Sequence, residues 1–356
     1  MNNKLTIGTL IISLVLLFGC NKEELSEKNA FDLFRYRQTY ATDFINPAIT
    51  EFVSDIKKLN EATTKFTAQT NQENLLNLQN LWKNAALSYA KTEVGNLGDI
   101  QSSAIYISMY SWGANENKIE EFVAATETID EDSVNKLPTK TRGLSAVEYL
   151  LFNDNAAQTV SSFSDVRRKD FLIALNKNLL IKATSLKEQW EVYSDYFINN
   201  TATGITGSVN LIVNQLNFLL EDVLRFKIGE PAGLDNTSST NTTMLQAYRS
   251  EISLAIIQEN ITAVKAVYYG MPDGLDDYVR EIATTEDINN AITASFSSIE
   301  ANIASLSNTT LKKAIENKNT TVTALHKHIK ELIILIKVDV ASTLSVTVTF
   351  TDNDGD

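Results

Sequence analysis

Glu148 is the residue whose setting most invites chemistry. It lies in Leu144-Ser145-Ala146-Val147-Glu148-Tyr149-Leu150-Leu151-Phe152, where only Ser145 and Tyr149 are otherwise polar. Such a carboxylate is expected to be partly buried and to need a partner. Two readings stand side by side: an oxygen ligand for a hard cation or hydrogen-bond anchor, and a clamp to a basic residue such as Arg142 or Arg225. Ser145 precedes it by three positions, so on a helix both share a face. A nucleophilic serine there would need a base, no Gly-x-Ser-x-Gly frame exists, and Glu148 alone is a poor partner. Glu93 follows Tyr89 by one turn and Trp82 by three, near the end of an apolar face. A surface acid and a ligand-binding acid both remain open there. Tyr110 and Trp112 precede Gly113 in an expected loop beside the site, where aromatic rings serve the core more often than a ligand.

The other candidates are weaker. His326 and His328 are two apart in a helical pattern, so they point in different directions and read as helix-surface histidines beside Lys327 and Lys330. Neither belongs to a His-Glu-x-x-His pattern. Asp352, Asp354 and Asp356 lack the spacing and the downstream glutamate of a calcium loop. The acidic turn Asp273-Gly274 with Asp276-Asp277 is expected to start a helix, where acids favour the dipole. No phosphate-cradling glycine loop or dinucleotide fingerprint occurs.

The single cysteine, Cys20, excludes an intrachain disulfide and a multi-cysteine metal site. Lys4 and the apolar run Leu5 to Phe18 have the layout of a secretory signal, too short for a permanent membrane span. Leu17-Phe18-Gly19-Cys20 resembles the bacterial lipobox, which implies that residues 1–19 are a lipoprotein signal peptide and that Cys20 is lipidated. Lys22-Glu23-Glu24 is similar to the tag that directs Bacteroidetes lipoproteins to the outer face of the outer membrane; a solvated tether over residues 20–32 reads equally well. The expectation is a lipid-anchored protein of the outer membrane, periplasmic or surface-exposed.

A net charge of −13 argues against nucleic acid and against electrostatic docking on anionic lipid. A hydrophobic fraction of 44% suffices for a packed core. Roughly 330 mature residues exceed what one core usually holds. Only four prolines and thirteen glycines interrupt the chain, so long helices are expected.

Periodicity supplies them. Asn46-Pro47 starts a helix carrying Ile49, Phe52, Ile56 and Leu59. Leu75, Leu78, Trp82, Ala85, Ala86 and Tyr89 share a second face, and Leu172 to Phe197 form a long third element. Another runs from about 208 to 228, closed by Gly229 and Pro231. Gly233 to Thr243 reads as a loop, Leu245 to Tyr269 as a helix, and two more carry Ile288–Leu306 and Leu325–Leu344. Val346, Val348 and Phe350 alternate, suggesting a short strand or an extended tail. The expected fold is all-α, two antiparallel helical-bundle domains over 33–200 and 201–356.

Four stretches in order carry a family resemblance: Leu81-Trp82-Lys83-Asn84-Ala85-Ala86-Leu87-Ser88-Tyr89-Ala90-Lys91-Thr92-Glu93, Arg142 to Phe152, Lys227-Ile228-Gly229-Glu230-Pro231-Ala232-Gly233, and the ending Asp352 to Asp356. Together they resemble the imelysin family of envelope proteins. The resemblance implies a pair of four-helix-bundle-like domains with a site in the cleft between them. It also implies a metallopeptidase classification and an association with iron uptake and outer-membrane uptake components. The family signature Gly-x-His-x-x-Glu reads Gly143-Leu144-Ser145-Ala146-Val147-Glu148 here. A histidine at that position could share a zinc or iron ion with the glutamate, whereas a neutral serine hydroxyl is a poor ligand. The expected site therefore comprises Glu93, Trp112, Gly143, Ser145 and Glu148, with Glu148 and Glu93 as candidate metal ligands. A non-catalytic protein binding an iron species, a glycan or a protein partner is favoured over a metallopeptidase using Glu148 with unusual ligands.

Overall fold

The computed structural model describes residues 30–235, 239–270 and 273–349; the signal segment, Cys20, Phe350 and the terminal aspartates lie outside the described residues. All regular structure among the described residues is helical. Helix α1 (Leu33–Thr39) passes through a π-helical turn, Tyr40–Ile45, into α2 (Asn46–Ala68). Pro47 sits in the first turn of α2, where its missing N–H costs nothing. Ile49, Phe52, Ile56 and Leu59 form its buried stripe, as their spacing requires. Asn71 caps α3 (Gln72–Thr92) by accepting the Asn74 N–H at 2.8 Å. Then come α4 (Gly143–Phe152) and the long α5 (Val166–Asn199), whose Leu172, Leu175, Leu179, Leu186, Trp190 and Phe197 are buried. Helix α2 packs on α3 and α5, and α4 lies across both of the latter.

The second half holds α6 (Ser208–Asp222), α7 (Ser253–Tyr269), α8 (Asp287–Ser305) and α9 (Thr320–Ile334). Helices α6 and α9 each continue into a π-helical segment, Val223–Gly229 and Leu335–Val340. Helix α8 packs on α9, and α7 packs along α3. That last contact joins the helices before residue 200 to those after it, and the described residues from Phe31 onward form one compact unit.

Two expectations change. Residues 245–252 are not the start of α7 but an irregular turn with Ala247 and Glu251 at positive φ (58° and 60°). The helix after α6 runs past Gly229 and stops at Gly233, where φ is 71°. Of the two readings left open for the C-terminus, Val346–Thr349 take the extended tail. Asn210 and Asn214 of α6 replace a partner strand, each accepting an N–H, from Thr347 and Thr349, at 2.8 Å, and both donating to the Thr347 carbonyl. Asp277 accepts the Gly274 N–H at the start of Leu275–Ala283, as an acid at a helix N-terminus should.

Candidate functional site

The signature segment is fixed at the N-terminus of α4. Gly143 has φ of 70°, and a Cβ there would lie 2.3 Å from the Met109 carbonyl oxygen, so the position admits only glycine. Trp82 Nε1 donates to the Leu144 carbonyl at 3.0 Å and Gln79 to the Leu151 carbonyl at 2.6 Å, which ties α4 to α3 near both its ends. The Ser145 hydroxyl, 1% exposed, donates to the Ser111 carbonyl. These contacts hold the segment Met109–Ser111 against α4 with Tyr110 between them.

Glu148 is 4% exposed, and its Oε1 accepts three hydrogen bonds: from the Arg249 N–H (3.1 Å), the Ser250 N–H (2.9 Å) and the Ser250 hydroxyl (2.9 Å). Neither Arg142 nor Arg225 is its partner. The Arg142 guanidinium turns instead to the Asn135 carbonyl and side chain. The buried carboxyl has its pKa raised, because burial outweighs the Ser250 bonds and the Arg249 charge that lower it. Arg249 itself reaches Glu116 and Asn153 and stacks over Tyr248 at 4.4 Å. Glu148 thus grips the strained turn between Ala247 and Glu251. Its Oε2 takes no hydrogen bond among the described residues.

Glu93 ends α3 and is no surface acid, its side chain being 12% exposed. Oε2 accepts from Lys227 Nζ at 3.0 Å and from the Asn260 amide at 2.8 Å. Lys227 is 1% exposed, donates also to Asn260 Oδ1 at 2.7 Å, and holds its ammonium 5.6 Å from the centre of the half-buried Trp112 ring. Asp222, at the end of α6, is pushed up to about 6 by burial and by Glu93, with Lys227 opposing.

Tyr110 lies within the fields of both acids. Its ring meets Trp82 and Tyr89 edge-on at 6.4 and 5.5 Å. Burial and the charges of Glu148 and Glu93 drive its phenol pKa well upward. It is therefore a neutral O–H donor, 2% exposed, and its hydroxyl has no hydrogen-bond partner among the described residues.

The structure thus places Gly143, Ser145 and Glu148 on α4, with Glu148 against the turn 249–250, and joins Glu93 and Trp112 through Lys227. The motif does not fit a zinc or iron centre: Ser145 commits its proton to a carbonyl, and three donors occupy Glu148 Oε1. A metal at Glu93 would have to displace the Lys227 ammonium. Among the described residues no group of three or more His, Cys, Asp or Glu side chains is arranged to hold a metal ion. His326 bonds Asp235 at 2.6 Å and His328 bonds Asn302 at 2.7 Å, in different directions and both partnered.

The imelysin family model matches residues 45–336, most of the chain and all of the site. The chain belongs to the imelysin family. Solved imelysin-like structures share the fold. One from Psychrobacter arcticum 273-4 is 17% identical with a TM-score of 0.75, covering 90% of this chain and 99% of that one. A Parabacteroides distasonis ATCC 8503 protein, provisionally named an iron-regulated protein A precursor, is 16% identical with a TM-score of 0.76, covering 90% and 97%. No curated protein matches by sequence.

Within this imelysin fold, sequence reading passes over Lys227, Asn260, Asp222 and Ser250. Two of them leave a signal. Lys227 continues the buried stripe Leu216, Leu220, Val223, and Asn260 interrupts Ile256 and Val264 at helical spacing. A polar group on an apolar stripe asks for a partner, and here the two are each other's. Ser250 leaves none, because its turn reads as helix.

Proposed function

We propose that this imelysin-family protein is an outer-membrane lipoprotein, anchored through Cys20, that binds a ligand and does not cleave one. The observation that carries the reading is the buried Tyr110 hydroxyl, without a hydrogen-bond partner among the described residues and within the fields of Glu148 and Glu93. A neutral phenol donor and a free carboxylate oxygen suit recognition of a small polar ligand, since each retains unused bonding capacity. The Ser145 hydroxyl and Glu148 Oε1, in contrast, are consumed in holding the backbone at 111 and 249–250, which supports binding over hydrolysis. The name of the Parabacteroides distasonis relative makes a ferric species the first ligand to try, delivered to or received from outer-membrane uptake components.

The test uses the lipidated protein purified from membranes. Ferric citrate is expected to raise its Tm, by the equivalent of ~2.7 kcal/mol at a hundredfold excess over Kd, and Tyr110→Phe to abolish the rise. Casein is expected to stay intact. Stoichiometric zinc, lost together with proteolysis in Glu148→Ala, would overturn the binding reading in favour of a metallopeptidase. Cys20→Ser is expected to release the protein from the membrane fraction; retention there would sink the anchor.

A further inference from the structure

The second half of α5 walls a groove that the site above does not use. It encloses about 460 Å³, within the range of small-molecule pockets. Glu188, Val192 and Tyr196 succeed one another at four-residue intervals along one face of α5, with Tyr193 beside them, and Asp99 and Ile100 of the helix Gly98–Ser102 form the facing wall.

The chemistry of the lining is one-sided. No lysine, arginine or histidine is among the lining residues. Neither Asp99 nor Glu188 has an ion-pair partner among the described residues, whereas the neighbouring Lys187 is held by Glu191 at 3.0 Å. In the other large groove, between α7 and α8, the lining Glu300 is already answered by Lys265 at 2.6 Å. The α5 groove also carries two tyrosine rings 5.7 Å apart, tilted by 39°. Tyr193 is fixed: its hydroxyl occupies the space above Gly98, where a Cβ would come within 2.2 Å, and the Asp99 N–H points at it. Tyr196 and Val192 are 57% and 83% exposed, more than a soluble helix face needs to leave open.

Two unanswered carboxylates, two aromatic faces and an aliphatic wall complement one kind of molecule. We propose that this groove binds an aliphatic amine, with its ammonium groups at Asp99 and Glu188 and over the tyrosine rings, and its methylene chain against Ile100 and Val192. A divalent metal suits the site poorly, since the surrounding walls are aromatic and aliphatic and supply few oxygen ligands. The enclosed volume fits a small amine, not a folded partner.

The test is calorimetric titration of the full chain with cadaverine, against the neutral diol of the same length. Cadaverine is expected to bind, with affinity falling as salt rises, and the diol to give no heat. The double variant Asp99→Asn/Glu188→Gln should weaken cadaverine by roughly a hundredfold and Tyr196→Leu by roughly tenfold, while Tyr110→Phe leaves it unchanged. All three altered groove residues lie at the surface, so circular dichroism and Tm should match the parent. Equal binding of the diol, unaltered affinity in the double variant, or no binding of cadaverine would overturn the proposal. Tighter binding of a lysine-rich peptide than of cadaverine would overturn it in favour of a peptide groove.

Discussion

Glu148 and Glu93 are both carboxylates withdrawn from water, yet they are stabilised in opposite ways. Glu93 meets a full positive charge, the ammonium of Lys227, with Asn260 bonding both partners. Glu148 meets two backbone N–H groups and a hydroxyl, while the guanidinium of Arg249 faces away toward Glu116. Charge pairing places Glu93 in a closed unit whose members need one another. Dipole pairing leaves Glu148 with the cost of burial only partly offset, which is why its pKa rises. The first arrangement locks α3 to α6 and α7; the second pins one turn.

The largest break in this contrast comes from Lys227→Met. It leaves Glu93 buried without its counter-charge and is expected to destabilise by ~3–5 kcal/mol in urea denaturation. Adding Glu93→Gln should recover most of the loss. A double variant as unstable as the single one would show that Lys227 matters through packing alone. Glu148→Ala orphans three donors and is expected to cost roughly 2–3 kcal/mol. Glu148→Gln keeps an acceptor and should stay within about 1 kcal/mol; equal losses in the two variants would refute the clamp to residues 249–250.

The contrast also has a pH dependence. The folded protein holds Asp222 at about 6 against an ordinary 3.8. A raised acid pKa means the fold prefers the protonated form, so this contribution is complete below 3.8 and is lost as pH rises through about 6. Glu148 has the same sign, starting from its ordinary 4.5. Asp222→Asn should therefore gain on the parent protein as pH climbs through that window and match it under acid conditions. A constant difference across the range would show that Asp222 is not desolvated.

Much of this was legible beforehand, for a physical reason. The stripe Ile49, Phe52, Ile56, Leu59 and the run from Leu172 to Phe197 are set by helical spacing, which needs no knowledge of neighbours. Burial of Glu148 followed from the apolar run around it. The partner of Glu148 was not legible, because it lies about a hundred residues away in a turn whose composition, Leu245 to Ile252, looks helical. The tail at Val346–Thr349 was ambiguous for a related reason: alternation specifies an extended chain but not what it pairs with, and side-chain amides on α6 took the place of a strand.

The sequence by itself determined the all-helical fold, the family, and the replacement of a ligating histidine by Ser145. Each is a matter of local spacing or residue type. Only the tertiary structure decided that Lys227 and Asn260 answer Glu93, that Ser250 answers Glu148, and that Tyr110 lies within the fields of both acids with no hydrogen-bond partner for its hydroxyl among the described residues. Hydrogen bonds and charges act over a few ångströms, so their partners are set by how helices distant in sequence pack, and no spacing within one segment records that.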